Sequence, residues 1–145
     1  MTIEAYIEAF ENLEPATLDR LMDRFSTDAR FADPFNDVTG RDAIRRVFER
    51  MFEDVDDPRF VVTGRAGAGD THYLRWHFTC RPKGFLGRSG DLVIDGMSEV
   101  RLDSDGRVCL HVDHWDAARQ LYEHVPVLGS ILGILRRKLG ISSTR

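Results

Sequence analysis

Apolar residues recur at helical spacing near both ends of the chain and in one central stretch, and at alternate positions through most of the remainder. The switch between the two periods lays out the elements. Ile3, Tyr6, Ile7, Phe10 and Leu13 form a helical stripe, with Thr2 placed to cap it. Pro15 opens a second helix with the stripe Leu18, Leu21, Met22 and Phe25, so the two predict a helical hairpin. Ser26-Thr27-Asp28 then returns the chain to a strand that alternates through Ala29, Phe31 and Asp33. That strand stops at Pro34, which has no N–H to continue a ladder. Asn36-Asp37-Val38 reads as a polar loop and Thr39 as a helix cap, with Asp42 three residues on. Ile44, Val47, Phe48, Met51, Phe52 and Val55 follow as one wide apolar helical face.

From Pro58 the period becomes two. Phe60 to Arg65 predicts a strand, Gly67 to Asp70 a turn, and Thr71 to Arg81 a long strand with Leu74, Trp76, Phe78 and Cys80 facing inward. Tyr73, Arg75, His77 and Thr79 then face outward. Pro82 to Gly90 reads as a loop in which Phe85 and Leu86 are placed to rim a pocket. Leu92, Ile94, Gly96, Ser98, Val100 and Leu102 form the inner face of the next strand, where Gly96 leaves space. Asp105-Gly106 turns a hairpin into the last strand, Arg107 to Trp115, on which His111, Asp113 and Trp115 share a face. Together these elements predict one α+β domain over residues 1–145, with helices on one side of a curved antiparallel sheet. After Pro126, Leu128, Ile131, Leu132, Leu135 and Leu139 predict an extra amphipathic helix over 127–139, with Arg136-Arg137-Lys138 in its last turn. Such a helix could cover a pocket, lie on a membrane, or pack on another subunit or its own sheet. The short basic cluster on an acidic chain points to protein rather than lipid.

Composition narrows the function. A chain of 145 residues, 42% hydrophobic and 30% charged, is long enough for a core with a modest pocket. Its net charge of −4 counts against nucleic acid, which needs clustered Lys and Arg. The start Met1-Thr2-Ile3-Glu4 lacks the basic and apolar regions of a signal peptide, and no apolar run has the length of a membrane span, so a cytoplasmic protein is expected. Cys80 and Cys109 have no metal-type spacing and read as buried thiols. His111-Val112-Asp113 contains a His-x-Asp pair, but no second histidine is placed to complete a metal site. No phosphate loop, nucleophile elbow or dinucleotide fingerprint is present, and no cofactor is expected.

Two stretches carry a resemblance. Ala32-Asp33-Pro34-Phe35 followed by Gly40-Arg41-Asp42-Ala43-Ile44-Arg45, and the strand Val112-Asp113-His114-Trp115-Asp116, resemble the superfamily of nuclear transport factor 2 and ketosteroid isomerase. That superfamily includes the SnoaL-like polyketide cyclases and limonene epoxide hydrolase. The resemblance implies a sheet wrapped around the helices as a cone with an open mouth. It aligns Asp33 with the proton-abstracting base of the isomerase, Tyr6 with its oxyanion-stabilising tyrosine, and Asp113 with the catalytic aspartate of the cyclases and the hydrolase. Ser98 stands where the isomerase has a protonated acid, and Arg75 and His77 face away from where the hydrolase has its Arg-x-Asp pair. The family spans enzymes and binders, so the resemblance does not choose between them.

The residues themselves leave parallel alternatives. Asp33 is either a desolvated base or a strand-end acceptor in the following turn. His111 and Asp113 are catalytic, a structural hydrogen-bonded pair, or groups facing a partner. Tyr6 is an oxyanion donor or a core residue with its hydroxyl at the surface. Phe10, Phe35, Phe48, Phe52, Trp76, Phe78, Ser98 and Trp115 line a pocket or fill a core. The expected function is acid–base chemistry on a small hydrophobic molecule by Asp33 and Asp113, of the isomerase, dehydratase or cyclase kind. The alternative is a binding or protein-interaction module without chemistry. Tyr73, Met97 and Val93 on the outer face predict a homodimer.

Overall fold

Six strands in the order β2-β1-β6-β5-β4-β3 form one curved open sheet. The computed structural model describes residues 2–141. The strands are β1 (Phe25–Ala32), β2 (Asp37–Thr39), β3 (Val55–Ala68), β4 (Thr71–Pro82), β5 (Leu92–Leu102) and β6 (Val108–His114). The helices are α1 (Ile3–Glu11), α2 (Leu18–Met22), α3 (Arg41–Asp54), α4 (Ala117–Gln120) and α5 (Leu128–Leu139). A 3-10 turn over Pro15–Thr17 leads into α2, so the second helix begins later and is shorter than its stripe suggested.

Several local expectations are corrected. The sheet is not antiparallel throughout, because β1 pairs parallel to β6, with Phe31 opposite His111. This pairing brings the end of the first strand beside the last, a long-range arrangement that no local pattern encodes. Asp37 to Thr39 is an edge strand against β1 rather than a loop, and Arg30 holds it through paired hydrogen bonds to the Asp37 carboxylate at 2.8 Å each. The position before α3 is Gly40, at φ 95, so the Thr39 cap does not form. β3 starts at Val55, five residues ahead of the expected Phe60. Pro58 is absorbed where the β3–β4 register shifts between Asp56 and Arg59, with Asp57 at φ 49.

α1 packs on β3, and α3 on β1 and β3. The main core joins Tyr6, Leu21, Phe25, Phe31, Ile44, Phe48, Val100 and Val108. A smaller cluster of Trp76, Phe78, Cys80 and Ile94 continues along β4 and β5 and meets Met51, Phe60 and Trp115. Gly96 permits this second cluster. A Cβ there would fall 2.4 Å from the Trp76 ring, so only glycine lets that indole lie across β5. Beyond the end of β6, β5 would expose a free edge. Gln120 of α4 covers it, donating to the Asp95 carbonyl and accepting from the Asp95 N–H.

Candidate functional site

Between α3 and the concave face of the sheet lies a cavity of about 740 Å³. β4 and β5 contribute Trp76, Phe78, Cys80, Leu92 and Ile94, because alternate residues of a strand share a face. α3 contributes Val47, Phe48 and Met51, and α1 contributes Phe10. Phe31, Phe35, Phe60 and Trp115 add further aromatic wall. Phe60 stacks on Phe78 with centroids 4.4 Å apart, and Phe35 meets Trp115 edge-on at 5.6 Å. Asp33 and Asp113 both line this cavity, from β1's end and from β6.

The two carboxylates are held differently. Oδ1 of Asp33 accepts from the Phe35 and Asn36 backbone N–H groups at 2.8 and 2.7 Å, and from the Asn36 amide at 3.0 Å. Pro34 and the polar residues after it make that turn, and Asp33 closes it. The desolvated aspartate that the aromatic surroundings suggested is therefore a hydrogen-bonded turn residue at the cavity wall. Asp113 instead receives side chains. Ser98 Oγ donates to its Oδ1 at 2.5 Å and His111 Nε2 donates to the same oxygen at 2.7 Å. Oδ2 takes no hydrogen bond among the described residues, which leaves it for a bound molecule.

Behind Asp113 runs a buried chain of hydrogen bonds. The Trp76 indole N–H donates to Ser98 Oγ at 2.7 Å, and Tyr6 Oη lies 2.7 Å from His111 Nδ1. Burial, and then the charge of Asp113, push the Tyr6 phenol well above its ordinary value, so it keeps its proton. With the phenol donating to Nδ1, the ring turns its Nε2–H to Asp113 and donates to it. The ring itself is clamped, stacked between Phe31 at 4.8 Å and Phe10 at 5.4 Å. Every partner of Asp113 Oδ1 is thus fixed by core packing.

Tyr6 is fully buried and does not reach the cavity, so its hydroxyl is neither at the surface nor an oxyanion donor. Ser98 and His111 sit one layer deeper, around a void of about 20 Å³ that they share with Asp113. Phe52 does not line the cavity either. The wide apolar face of α3 divides, and Phe52 turns to a second groove of about 800 Å³ beside the end of α1. That groove is larger but carries Glu8, Glu11, Asn12, Asp56 and Arg59 on its walls, a more polar lining than the cavity's. Leu86 lines the main cavity as expected of a rim residue, whereas Phe85 points out and is 58% exposed. Arg75 is exposed, and His77 pairs with Asp95 at 2.7 Å at the surface, so neither serves the site. Sequence reasoning did not assign Val47, Met51, Phe31, Phe60 or Cys80 to the cavity, although the period-two faces of β1, β3 and β4 and the α3 stripe could have done so. No group of three or more possible metal ligands occurs among the described residues.

The architecture recurs in solved structures. An NTF2-like protein of unknown function from Exiguobacterium sp. 255-15 superposes with a TM-score of 0.67 at 22% identity, covering 80% of this chain and 98% of its own. A protein of ketosteroid isomerase-like fold from Catenulispora acidiphila, in complex with trimethylamine, gives 0.70 at 17% identity over 83% and 92% of the two chains. A candidate SnoaL-like polyketide cyclase from Shewanella denitrificans gives 0.65 at 21% identity over 82% and 93%. At such identities these likenesses establish the fold. No protein of curated function matches the sequence. The SnoaL-like domain model matches residues 3–111, three-quarters of the chain and all the elements from α1 into β6, and the protein belongs to the SnoaL-like domain family.

Proposed function

We propose that this protein binds a small, largely hydrophobic molecule in the α3–sheet cavity and performs acid–base chemistry on it, of the isomerase, dehydratase or cyclase kind, with Asp113 as proton acceptor. The observation that carries this reading is the asymmetry of Asp113. One oxygen is fixed by Ser98 and His111, while the other has no partner among the described residues and the side chain faces an aromatic cavity. A base must be held rigidly and still have a free lone pair, and this one meets both conditions. His111 and Tyr6 act through Asp113 as positioning residues. Asp33 supplies a second carboxylate on the cavity wall, suited to orienting a polar end of the ligand once its turn bonds are made.

The sheet's outer face is proposed to pair with a second copy. Val61, Tyr73, Val93 and Met97 are 44% to 51% exposed there, beside Arg75, Asp95, Glu99 and Arg101. Charges of both signs around an apolar patch suit a self-complementary contact.

The test uses cyclic ketones as probes in deuterated water, with NMR following exchange of the hydrogens next to the carbonyl. The wild-type chain should accelerate exchange, and Asp113→Asn should lower the rate at least about a hundredfold while probe binding, read by tryptophan fluorescence, persists. Binding of ketones or of trimethylamine without any exchange would favour a binding module, and no binding of either would overturn the pocket reading itself.

A further inference from the structure

Two carboxylates enter the cavity from neighbouring strands. In the parallel pairing of β1 with β6, Phe31 stands opposite His111 and Ala32 opposite Val112, so Asp33, just past the end of β1, and Asp113 hold the next corresponding positions. Both line the cavity. Asp113 receives Ser98 and His111, Asp33 receives its own turn and the Asn36 amide, and neither meets an Arg or Lys among the described residues. The cations of the cavity wall, Arg50 and Lys83, already face other acids, Asp54 at 3.1 Å and Asp56 at 3.7 Å. Glu53 adds a further carboxylate to the same wall, so its lining carries negative charge in excess of positive.

The apolar part of the wall suits positive charge as well. It is built from aromatic rings, Trp76, Phe78, Phe60, Phe35 and Trp115 among them, and aromatic rings attract a cation through the negative charge of their faces. The donors around Asp113, meanwhile, are spent within the protein: Ser98 and His111 on Asp113 itself, Trp76 on Ser98 and Tyr6 on His111. A proton taken by Asp113 from a carbon next to a carbonyl leaves its electron pair in an enolate, whose charge calls for a fixed donor or a positive charge nearby. With these donors used, the positive charge is one the ligand can bring itself.

We infer that the ligand of this cavity is an organic cation, a quaternary or tertiary amine that also carries a carbonyl group, with its ammonium beside Asp33 and the aromatic rings and its acidic C–H at the free oxygen of Asp113. This rests on the reading of the cavity as the site where Asp113 accepts a proton. In that step Asp113 Oδ2 takes the proton, the C–H pair moves into the bond to the carbonyl carbon, the carbonyl pair moves onto oxygen, and the ammonium keeps its charge throughout. Asp33 brings a charge rather than an open acceptor, since its oxygens accept from its turn and from the Asn36 amide, Oδ2 at 3.2 Å. A methylated ammonium has few or no N–H groups to place and needs only that charge. An uncharged ligand would strip water from both carboxylates and leave them without a counter-charge, whereas the ammonium replaces that water with positive charge.

Three cyclic ketones of similar size test this on the full chain. N,N-dimethylpiperidonium has a fixed positive nitrogen opposite its carbonyl, gem-dimethylcyclohexanone has carbon in place of that nitrogen, and oxocyclohexanecarboxylate carries a negative charge there. Titration by tryptophan fluorescence should give the cation a dissociation constant at least about tenfold below that of the neutral ketone, with the anion binding most weakly. Asp33→Asn and Asp113→Asn should each weaken the cation about tenfold and leave the neutral ketone nearly unchanged. Equal affinity of the parent for the cation and the neutral ketone overturns the inference and leaves the cavity reading standing. A preference for the cation that survives both substitutions overturns it too, because the positive end then lies away from the two aspartates. If none of the three ketones binds, the cavity reading falls and the inference with it.

Discussion

The Tyr6 hydroxyl donates to His111 Nδ1 across 2.7 Å, joining the first helix to the last strand over 105 positions of sequence. Both residues are buried, and the ring between them and Asp113 has no freedom to turn. Tyr6→Phe should leave the Nδ1 acceptor orphaned and cost about 1–3 kcal/mol of stability in urea unfolding. If Tyr6 positions Asp113, the variant should also lower proton exchange while leaving ligand affinity nearly unchanged, which a purely structural role would not do.

The same tyrosine predicts a pH dependence. Its folded-state value lies well above the ordinary 10.0, so the folded chain holds this proton where the unfolded chain releases it. The Tyr6 contribution to stability is therefore complete below pH 10 and declines above it by about 1.4 kcal/mol per pH unit until the folded value is reached. Absorbance titration should show the Tyr6 phenolate appearing only as the protein unfolds.

Asp33 and Asp113 should separate by substitution. Asp33→Ala removes the acceptor for the Phe35 and Asn36 N–H groups and should cost about 1–2 kcal/mol. Asp33→Asn keeps an oxygen for that turn, and proton exchange should stay within severalfold of the parent. A loss with Asp33→Asn as deep as with Asp113→Asn would return the role of base to Asp33.

Gly96→Ala tests the aromatic wall. The added methyl overlaps the Trp76 ring at 2.4 Å, and moving that ring breaks its hydrogen bond to Ser98 and loosens the support of Asp113. Denaturation should show a loss of about 1–3 kcal/mol, and the tryptophan emission should shift to the red.

Cys80 faces the cavity, and burial followed by the nearby charge of Asp91 pushes its thiol up to about 11. Thiolate is the reactive form, so iodoacetamide at pH 8 should label the more accessible Cys109 first. Bound ligand should slow Cys80 further, a difference that intact-mass spectrometry reads directly. On the outer face, light scattering should report a dimer at micromolar concentration, and Met97→Lys should convert it to monomer.

Much of this was legible in the sequence because its signals are local. The inward faces of β4 and β5 follow from strict alternation in Leu74 to Cys80 and Leu92 to Leu102, and Pro34 stands two residues beyond the end of β1 at Ala32. The same alternation set His111, Asp113 and Trp115 on one face, and the spacing after Pro126 announced α5. What tertiary structure alone decided was which of these groups meet. The parallel pairing of β1 with β6 puts Phe31 over His111, and the packing of α1 brings Tyr6 to the other side of that ring, so the support of Asp113 is assembled from segments some hundred positions apart. The division of the α3 face between Phe48 and Phe52 also depends on where the neighbouring elements stop. Periodicity reports which residues share a surface of one element. Hydrogen bonds between distant elements depend on the registers and docking angles that the whole core settles together, and these gave Asp113 a held oxygen and a free one while Asp33 spent its lone pairs on its own turn.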